Sequence, residues 1–228
     1  MDESLTDSRT LSIPGLRNAR AVVPDLFYRS GRLGELTPEG VRELAKLDLR
    51  TVIDLREPVE LARFPDRDLD GDVELVHLPL LPQDGTDHGA TPLAEVYPLM
   101  ADHSGPAMVA VLRRLLEPQA LPALVHCAVG RDRTGIIVAV LLALLGVPDE
   151  EIVADFLLSN EALGLLDGPQ EYVDAYGVIR LSHPVQAVLI TDLLARIRER
   201  HGSVAGYLAD HGLNPDEAAA LRRALLGD

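Results

Sequence analysis

The sequence predicts an α/β fold: a central, mostly parallel sheet flanked by helices, with a helix-rich C-terminal half. Three observations carry this. Residues 120–126 form a short, apolar, proline-punctuated run of strand type, whereas the apolar run over 135–145 is too long for a strand and reads as a helix. Upstream, a helical pattern over 36–47 leads into the β-branched run 50–56. Downstream of Gly146, amphipathic helical patterns dominate to the end of the sequence. With 228 residues, 47% of them hydrophobic and no low-complexity run, the chain can bury one substantial core and reads as a single domain over 1–228.

Residues 1–10 are polar and acidic, carry no motif and read as a flexible start. Two short extended pieces follow, within 11–20 and 25–31, as a small β-hairpin would supply. Thr37-Pro38 then provides a cap and a first-turn proline, and residues 36–47 place apolar side chains on one face, as a surface helix does. The strand over 50–56 presents Asp54 and Arg56 at its carboxyl end, where open parallel sheets bind ligands. Asp54 is therefore a site candidate, while an Arg56–Glu60 ion pair is the structural reading of that turn. Residues 66–72 alternate oxygen-bearing side chains with Gly71 sixth, like the first half of a calcium loop. His77 stands where a bidentate glutamate is required, so the stretch reads as a solvated turn before a strand over 73–79.

His77, His88 and His103 lack ligand spacing, and no metal is assigned. Residues 81–90, rich in Pro, Gly and Asp, make a loop able to approach a site, and helical patterns over 92–102 and 106–116 lead to the central strand. The apolar run 135–145 is too short to cross a bilayer and reads as a buried core helix ended by Gly146 and Pro148. Another helix starts near Asp149 and runs toward Asn160. Residues 161–180 read as helical pieces broken by Gly164 and Gly168, with 157–182 a candidate lid. The competing reading packs Tyr172 and Tyr176, four residues apart, into the core. An amphipathic helix over 184–200 and a final one capped by Asn214-Pro215 complete the chain.

The chemistry concentrates in Val125-His126-Cys127-Ala128-Val129-Gly130-Arg131-Asp132-Arg133-Thr134-Gly135. A loop at the end of a parallel strand, closed by a helix N-terminus, gathers backbone N–H groups that have no partner within the helix, and so binds anions. Cys127 and Arg133 bracket five residues, enough chain to wrap once around a phosphate. The same field favours thiolate over thiol. Gly130 lets the backbone turn closely, Arg131 and Arg133 supply charge, and Arg133 offers a fork for two phosphate oxygens. Thr134 offers a hydroxyl toward the sulfur, and Asp132 suits a helix N-terminus on electrostatic grounds alone. A cysteine serving only as a small buried residue would explain neither Gly130 nor two arginines in so short a loop.

That stretch resembles the signature of the cysteine-dependent protein tyrosine phosphatase superfamily. Gly130-Arg131-Asp132-Arg133-Thr134 is similar to the Gly-Lys-Asp-Arg-Thr loop of the bacterial atypical tyrosine and phosphoinositide phosphatases, with Arg131 in place of lysine. Asn18 and Arg20 resemble the group's Asn-Phe-Arg-Asp element, with Ala19 and Ala21 replacing its aromatic and its acid. Arg29-Ser30, Asp54-Leu55-Arg56 with Glu60, and Gly202-Ser203 with Tyr207-Leu208 also match. The resemblance implies a phosphatase-like fold and a phosphomonoester hydrolase working through a cysteinyl-phosphate. In that scheme Cys127 attacks, while Arg133 and the loop at Ala128, Val129, Gly130 and Arg131 hold the phosphate. Asp132 protonates the leaving group, and Thr134 stabilises the departing thiolate.

Ordinary tyrosine phosphatases carry the acid in a Trp-Pro-Asp loop, and this chain has no tryptophan. Asp132 is the first choice by resemblance, with Asp54, Asp84 and Asp87 in reserve. No metal or organic cofactor is implied. Phosphotyrosine in a protein is the first substrate reading and inorganic phosphate the product. The alternative is a phosphoinositide, inositol phosphate or dual-specificity phosphatase, since Arg131 near the mouth suits inositol phosphates. Two readings come from other classes: a phosphate-binding module without activity, against which Asp132 argues, and sulfur transfer or arsenate reduction, against which the absence of a second cysteine argues.

A formal charge of −15 with a single lysine, Lys46, excludes a general nucleic-acid-binding face. One cysteine excludes an internal disulfide framework and fits a reducing compartment. No signal-like start and no membrane-length apolar span is present, so the expected location is cytoplasmic, or outside by export without a cleaved signal.

Overall fold

The computed structural model describes residues 10–69, 71–81 and 91–227. A five-stranded sheet, in the order β1-β2-β5-β3-β4, lies at its centre. Its strands are β1 (Arg20–Val23), β2 (Phe27–Ser30), β3 (Thr51–Asp54), β4 (Glu74–His77) and β5 (Ala123–His126). β1 and β2 form the expected antiparallel hairpin, and every other pairing is parallel. Ser30, His126 and Asp54 stand in register, so three carboxyl ends converge at one edge. β5 sits between β2 and β3, and all four of its residues are buried. Its side chains alternate between faces, Ala123 and Val125 entering the larger apolar cluster and Leu124 the smaller.

The helices follow from capping and apolar periodicity. α1 (Pro38–Ala45) begins where the Thr37 side chain accepts the Gly40 N–H at 3.0 Å. α2 (Pro58–Arg63), a short turn that periodicity alone does not announce, is set by a capping box between Glu57 and Glu60. α3 (Leu93–His103) and α4 (Gly105–Arg114) precede β5. α5 (Asp132–Leu145) has ten of its fourteen residues buried, the fate of a helix that is apolar all round, and ends at Gly146 with φ +88°. It extends three residues further toward the N-terminus than its apolar run, which places Asp132 in its first turn. α6 (Asp149–Ala162), α7 (Ala187–His201), α8 (Val204–Asp210) and α9 (Pro215–Leu226) complete the helix-rich second half. Among the described residues no helix is long and apolar enough to cross a membrane.

Two expectations fail. Residues 161–180 are not helical pieces: β6 (Gln170–Val173) and β7 (Ile179–Ser182) pair antiparallel as a separate hairpin. The Asp174 carboxylate accepts the N–H groups of Tyr176 and Val178 at 2.9 and 2.8 Å, and Gly177 takes φ +81°. That turn chemistry and the β-branched Val173, Val178 and Ile179 override any helical tendency. Tyr172 and Tyr176 are also not core residues, being 41% and 53% exposed. The second failure concerns Asp66, which does not belong to a solvated turn. Its carboxylate accepts from the Leu33 N–H at 2.7 Å and from Arg56 Nη2 at 2.5 Å, tying this segment under the sheet edge.

Candidate active site

At the carboxyl end of β5 the chain must reverse into α5 within residues 127–131. Gly130 makes the reversal at φ +70°, and a Cβ there would lie 2.2 Å from the Ser30 carbonyl oxygen. Only glycine fits. The loop carbonyls are gripped from behind. Ala128 O accepts the Arg32 N–H at 3.1 Å, and Asn18 Nδ2 donates to Val129 O and Gly130 O at 3.2 and 2.9 Å. Arg29 Nη2 also donates to Gly130 O, at 2.7 Å. In a trans peptide the N–H points opposite its carbonyl, so the amides of Val129, Gly130 and Arg131 turn the other way, into a concave array suited to an anion.

Behind that grip lies a buried charge cluster. Asp155 of α6 accepts from Arg20 Nε at 2.8 Å and from Arg29 Nη1 at 2.5 Å. Burial alone would raise the Asp155 carboxyl, but the charges of Arg29 and Arg20 prevail and hold it below the usual range. Arg29 is lowered to about 10, by burial and by Arg20 beside it, with Asp155 opposing.

Arg133 stands on α2's side of the loop. Its Nη2 donates to Glu60 Oε1 at 2.7 Å and its Nη1 to Oε2, a bidentate pair that fixes the guanidinium plane. Burial would lower Arg133, yet Glu60 outweighs it and raises Arg133 above its ordinary value. The expected Arg56–Glu60 pairing is thus replaced. Arg56 binds Asp54 at 2.8 Å and Asp66 at 2.5 Å, because both carboxylates sit at the strand edge beside it. Asp54, accepting from both Nε and Nη2 of Arg56, is committed to that pair. It holds the reserve position for an acid poorly, while Asp84 and Asp87 lie outside the described residues, as does His88.

Asp132 is held from two sides. Tyr97 of α3 donates its hydroxyl to Oδ1 at 3.0 Å, and Arg131 donates from Nε at 3.1 and 3.2 Å, with its Nη2 in ion-pair contact with Oδ2 at 3.0 Å. Tyr97 is 1% exposed, and burial, then the Asp132 charge, push its hydroxyl well above the usual value. Arg131's remaining nitrogen, Nη1, donates to Ser182 Oγ at 2.8 Å and His183 O at 2.9 Å. The residue read as a mouth contact therefore ties the loop to the end of β7.

Cys127 is 2% exposed, and the charges of Arg29, Arg131 and Arg133 act on it. Thr134 Oγ1 is buried without a hydrogen-bond partner among the described residues. A cavity of about 530 Å³ opens over the loop. Ala128, Val129, Asp132 and Arg133 line one side of it, and residues 172–176 of the hairpin line another. Asp54, Asp66 and His126 are, among the described residues, a cluster with ligand atoms within 4.8 Å, but Arg56 already supplies the cation between the two carboxylates.

Four side chains that hold this loop and its flanking groups in place were not evident in these roles from the sequence. Glu60 was assigned to a nearer arginine, Asn18 to a plain hairpin, and Tyr97 to a helical face. Asp155 carried the one usable signal, a lone acid inside the apolar run from Ile152 to Leu158.

A cysteine at a strand end, an arginine held in a plane and a cradle of amides define a phosphate-ester-cleaving protein of the cysteine type. The model of the tyrosine phosphatase family matches residues 8–227, and the chain belongs to that family. The triple specificity protein phosphatase PtpB of Mycobacterium tuberculosis is 30% identical, over 92% of this chain and 94% of that protein. A tyrosine-protein phosphatase of Nostoc commune is also 30% identical, over 90% of this chain and 75% of its own length. A solved structure of P. aeruginosa TpbA in complex with pTyr aligns at 18% identity over 93% of this chain and all of that one, with a TM-score of 0.48. The chain is thus a tyrosine phosphatase by family, a phosphomonoester hydrolase.

Proposed function

We propose that Cys127, Arg133 and Asp132 carry out phosphotyrosine hydrolysis through a cysteinyl-phosphate. The observation that carries this is the outward grip on the carbonyls of Ala128, Val129 and Gly130, which leaves amides facing an anion site between Cys127 and Arg133. The Cys127 thiolate attacks phosphorus in line. The loop amides and the guanidinium of Arg133 hold the equatorial oxygens, whose charge grows in the transition state. Asp132 gives its proton to the departing oxygen and then takes one from the water that attacks the cysteinyl-phosphate. Thr134, whose hydroxyl has no partner among the described residues, donates to the thiolate as it leaves. Tyr97 and Arg131 fix the direction in which Asp132 faces.

The β6–β7 hairpin acts as the cover of the site, in place of the helical lid that the pattern suggested. The breadth of the cavity favours a second reading alongside phosphotyrosine, in which inositol phosphates are also accepted. The test is phosphate release from a small aryl phosphate in the presence of chelator. Wild-type turnover, its abolition in Cys127→Ser and a loss of about 100-fold or more in Asp132→Ala are expected. A folded, reduced wild type without turnover would leave a phosphate-binding module.

A further inference from the structure

Five arginines line the cavity: Arg17, Arg32, Arg56, Arg131 and Arg133. Four are held by carboxylates. Arg32 pairs with Glu35, Arg56 with Asp54 and Asp66, Arg131 with Asp132, and Arg133 with Glu60. Arg17 has no carboxylate partner among the described residues. Its hydrogen bond runs from Nη2 to the Leu163 carbonyl at 3.5 Å, at the outer limit of such a bond. In a chain with 36 acidic and 21 basic residues, an exposed arginine left without an acid beside an anion-binding loop stands apart.

Its backbone is nonetheless fixed to that loop. Arg17 O accepts the Gly31 N–H at 2.8 Å, and its neighbour Asn18 is the residue gripping Val129 and Gly130. The guanidinium reaches from this anchor toward the C-terminal end of α6, where Leu163 and Leu165 also line the cavity. It is thus a cation with a fixed base at the cavity, its guanidinium held only by the long bond to Leu163 O among the described residues. A cavity of about 530 Å³ leaves room for a second charged group beside the scissile phosphate.

We propose that Arg17 is a second anion contact, selecting substrates that carry a further phosphate next to the one removed, as on an inositol bisphosphate ring. The proposal rests on the reading of residues 127–133 as the catalytic phosphate site. Guanidinium suits this task, since it keeps its charge and offers two parallel donors to one phosphate. Arg133 and the amides hold the scissile group, and Arg17 orients the ring through its neighbour. The chemistry recognised is the same whether the ring is a lipid headgroup or free in solution.

The experiment compares kcat/KM of wild type and Arg17→Gln on p-nitrophenyl phosphate, on a short-chain phosphatidylinositol monophosphate, on the corresponding bisphosphate, and on the free inositol bisphosphate. The variant is expected to lose about 10-fold on both bisphosphates, the order of one charge-assisted hydrogen bond, and to stay within about 2-fold on the two monophosphates. Arg17→Lys should recover part of the loss. A loss on the lipid alone assigns the lipid headgroup as the source, and a loss on both leaves the ring itself as the determinant. Equal losses on all substrates, no loss on the bisphosphates, or no wild-type turnover of them would overturn the proposal. Failure of the underlying site shows differently, as turnover that survives Cys127→Ser on every substrate.

Discussion

The back of the 127–131 loop and the hairpin lining the cavity over it are built on opposite principles. Behind the loop, Asn18, Arg20, Arg29 and Asp155 are buried and bonded to one another or to loop carbonyls, so one conformation is over-determined. Over the loop, the β6–β7 hairpin presents Ile179 at 67% and Leu181 at 55% exposure. Its root is tied by Arg131 to Ser182 and His183, and by Asn160, which exchanges hydrogen bonds with Val185 at 2.8 and 2.9 Å. The contrast teaches where the two halves of function reside. On the function proposed above, transition-state geometry needs a rigid base, and substrate choice would lie with a wall that can be changed without disturbing that base.

The comparison breaks most visibly at its rigid side. Gly130→Ala must place a methyl group against the Ser30 carbonyl, and displacement of the amides should lower kcat by about 100-fold. A steady-state assay on aryl phosphate, with circular dichroism to confirm folding, decides this. Asp155→Asn leaves two buried arginines short of a counter-charge, and urea unfolding at neutral pH should show a loss of about 3–5 kcal/mol. The sign of its pH dependence is fixed by the lowered carboxyl. The Asp155 contribution is fully present above its unfolded value of about 3.9 and disappears as pH falls through the lower folded value. Wild-type and Asp155→Asn stabilities should therefore converge only in strong acid; parallel curves down to that range would refute the ion cluster.

Tyr97→Phe keeps the ring edge against Phe156 and removes one hydrogen bond. Stability should fall by about 1 kcal/mol. If the hydroxyl aims Asp132, kcat should drop about 10-fold for esters with poor leaving groups and little for activated ones, because only the former need the proton. A uniform drop across leaving groups would make Tyr97 a packing residue. Smallest of all is Ile179→Ser on the hairpin, expected within about 0.5 kcal/mol of wild type in thermal unfolding. Its effect should appear as a change in KM with kcat preserved; a matching fall in kcat would tie the cover to chemistry.

The parts of this protein legible in the sequence are those whose cause is local. Cys127 to Gly135 could be read as strand end, anion loop and helix start because the spacing, Gly130 and the apolar flanks all act within a dozen residues. The Thr37 and Asn214 caps, the central helix and the five strands of the main sheet were legible for the same reason. The hairpin was misread although its turn is local, since Gly177 and Asp174 were outweighed by glycines suggesting broken helix. What only the tertiary structure decided are pairings between distant segments. Asp155 meets Arg20 across 135 positions, Glu60 meets Arg133 across 73, and Tyr97 meets Asp132 across 35. A charge in a sequence has many possible partners, and burial in one folded core removes all but one of them. The cysteine proposed as nucleophile was thus written in a short motif, while the groups that hold its loop, orient Asp132 and leave Arg17 without a carboxylate among the described residues were chosen by the fold.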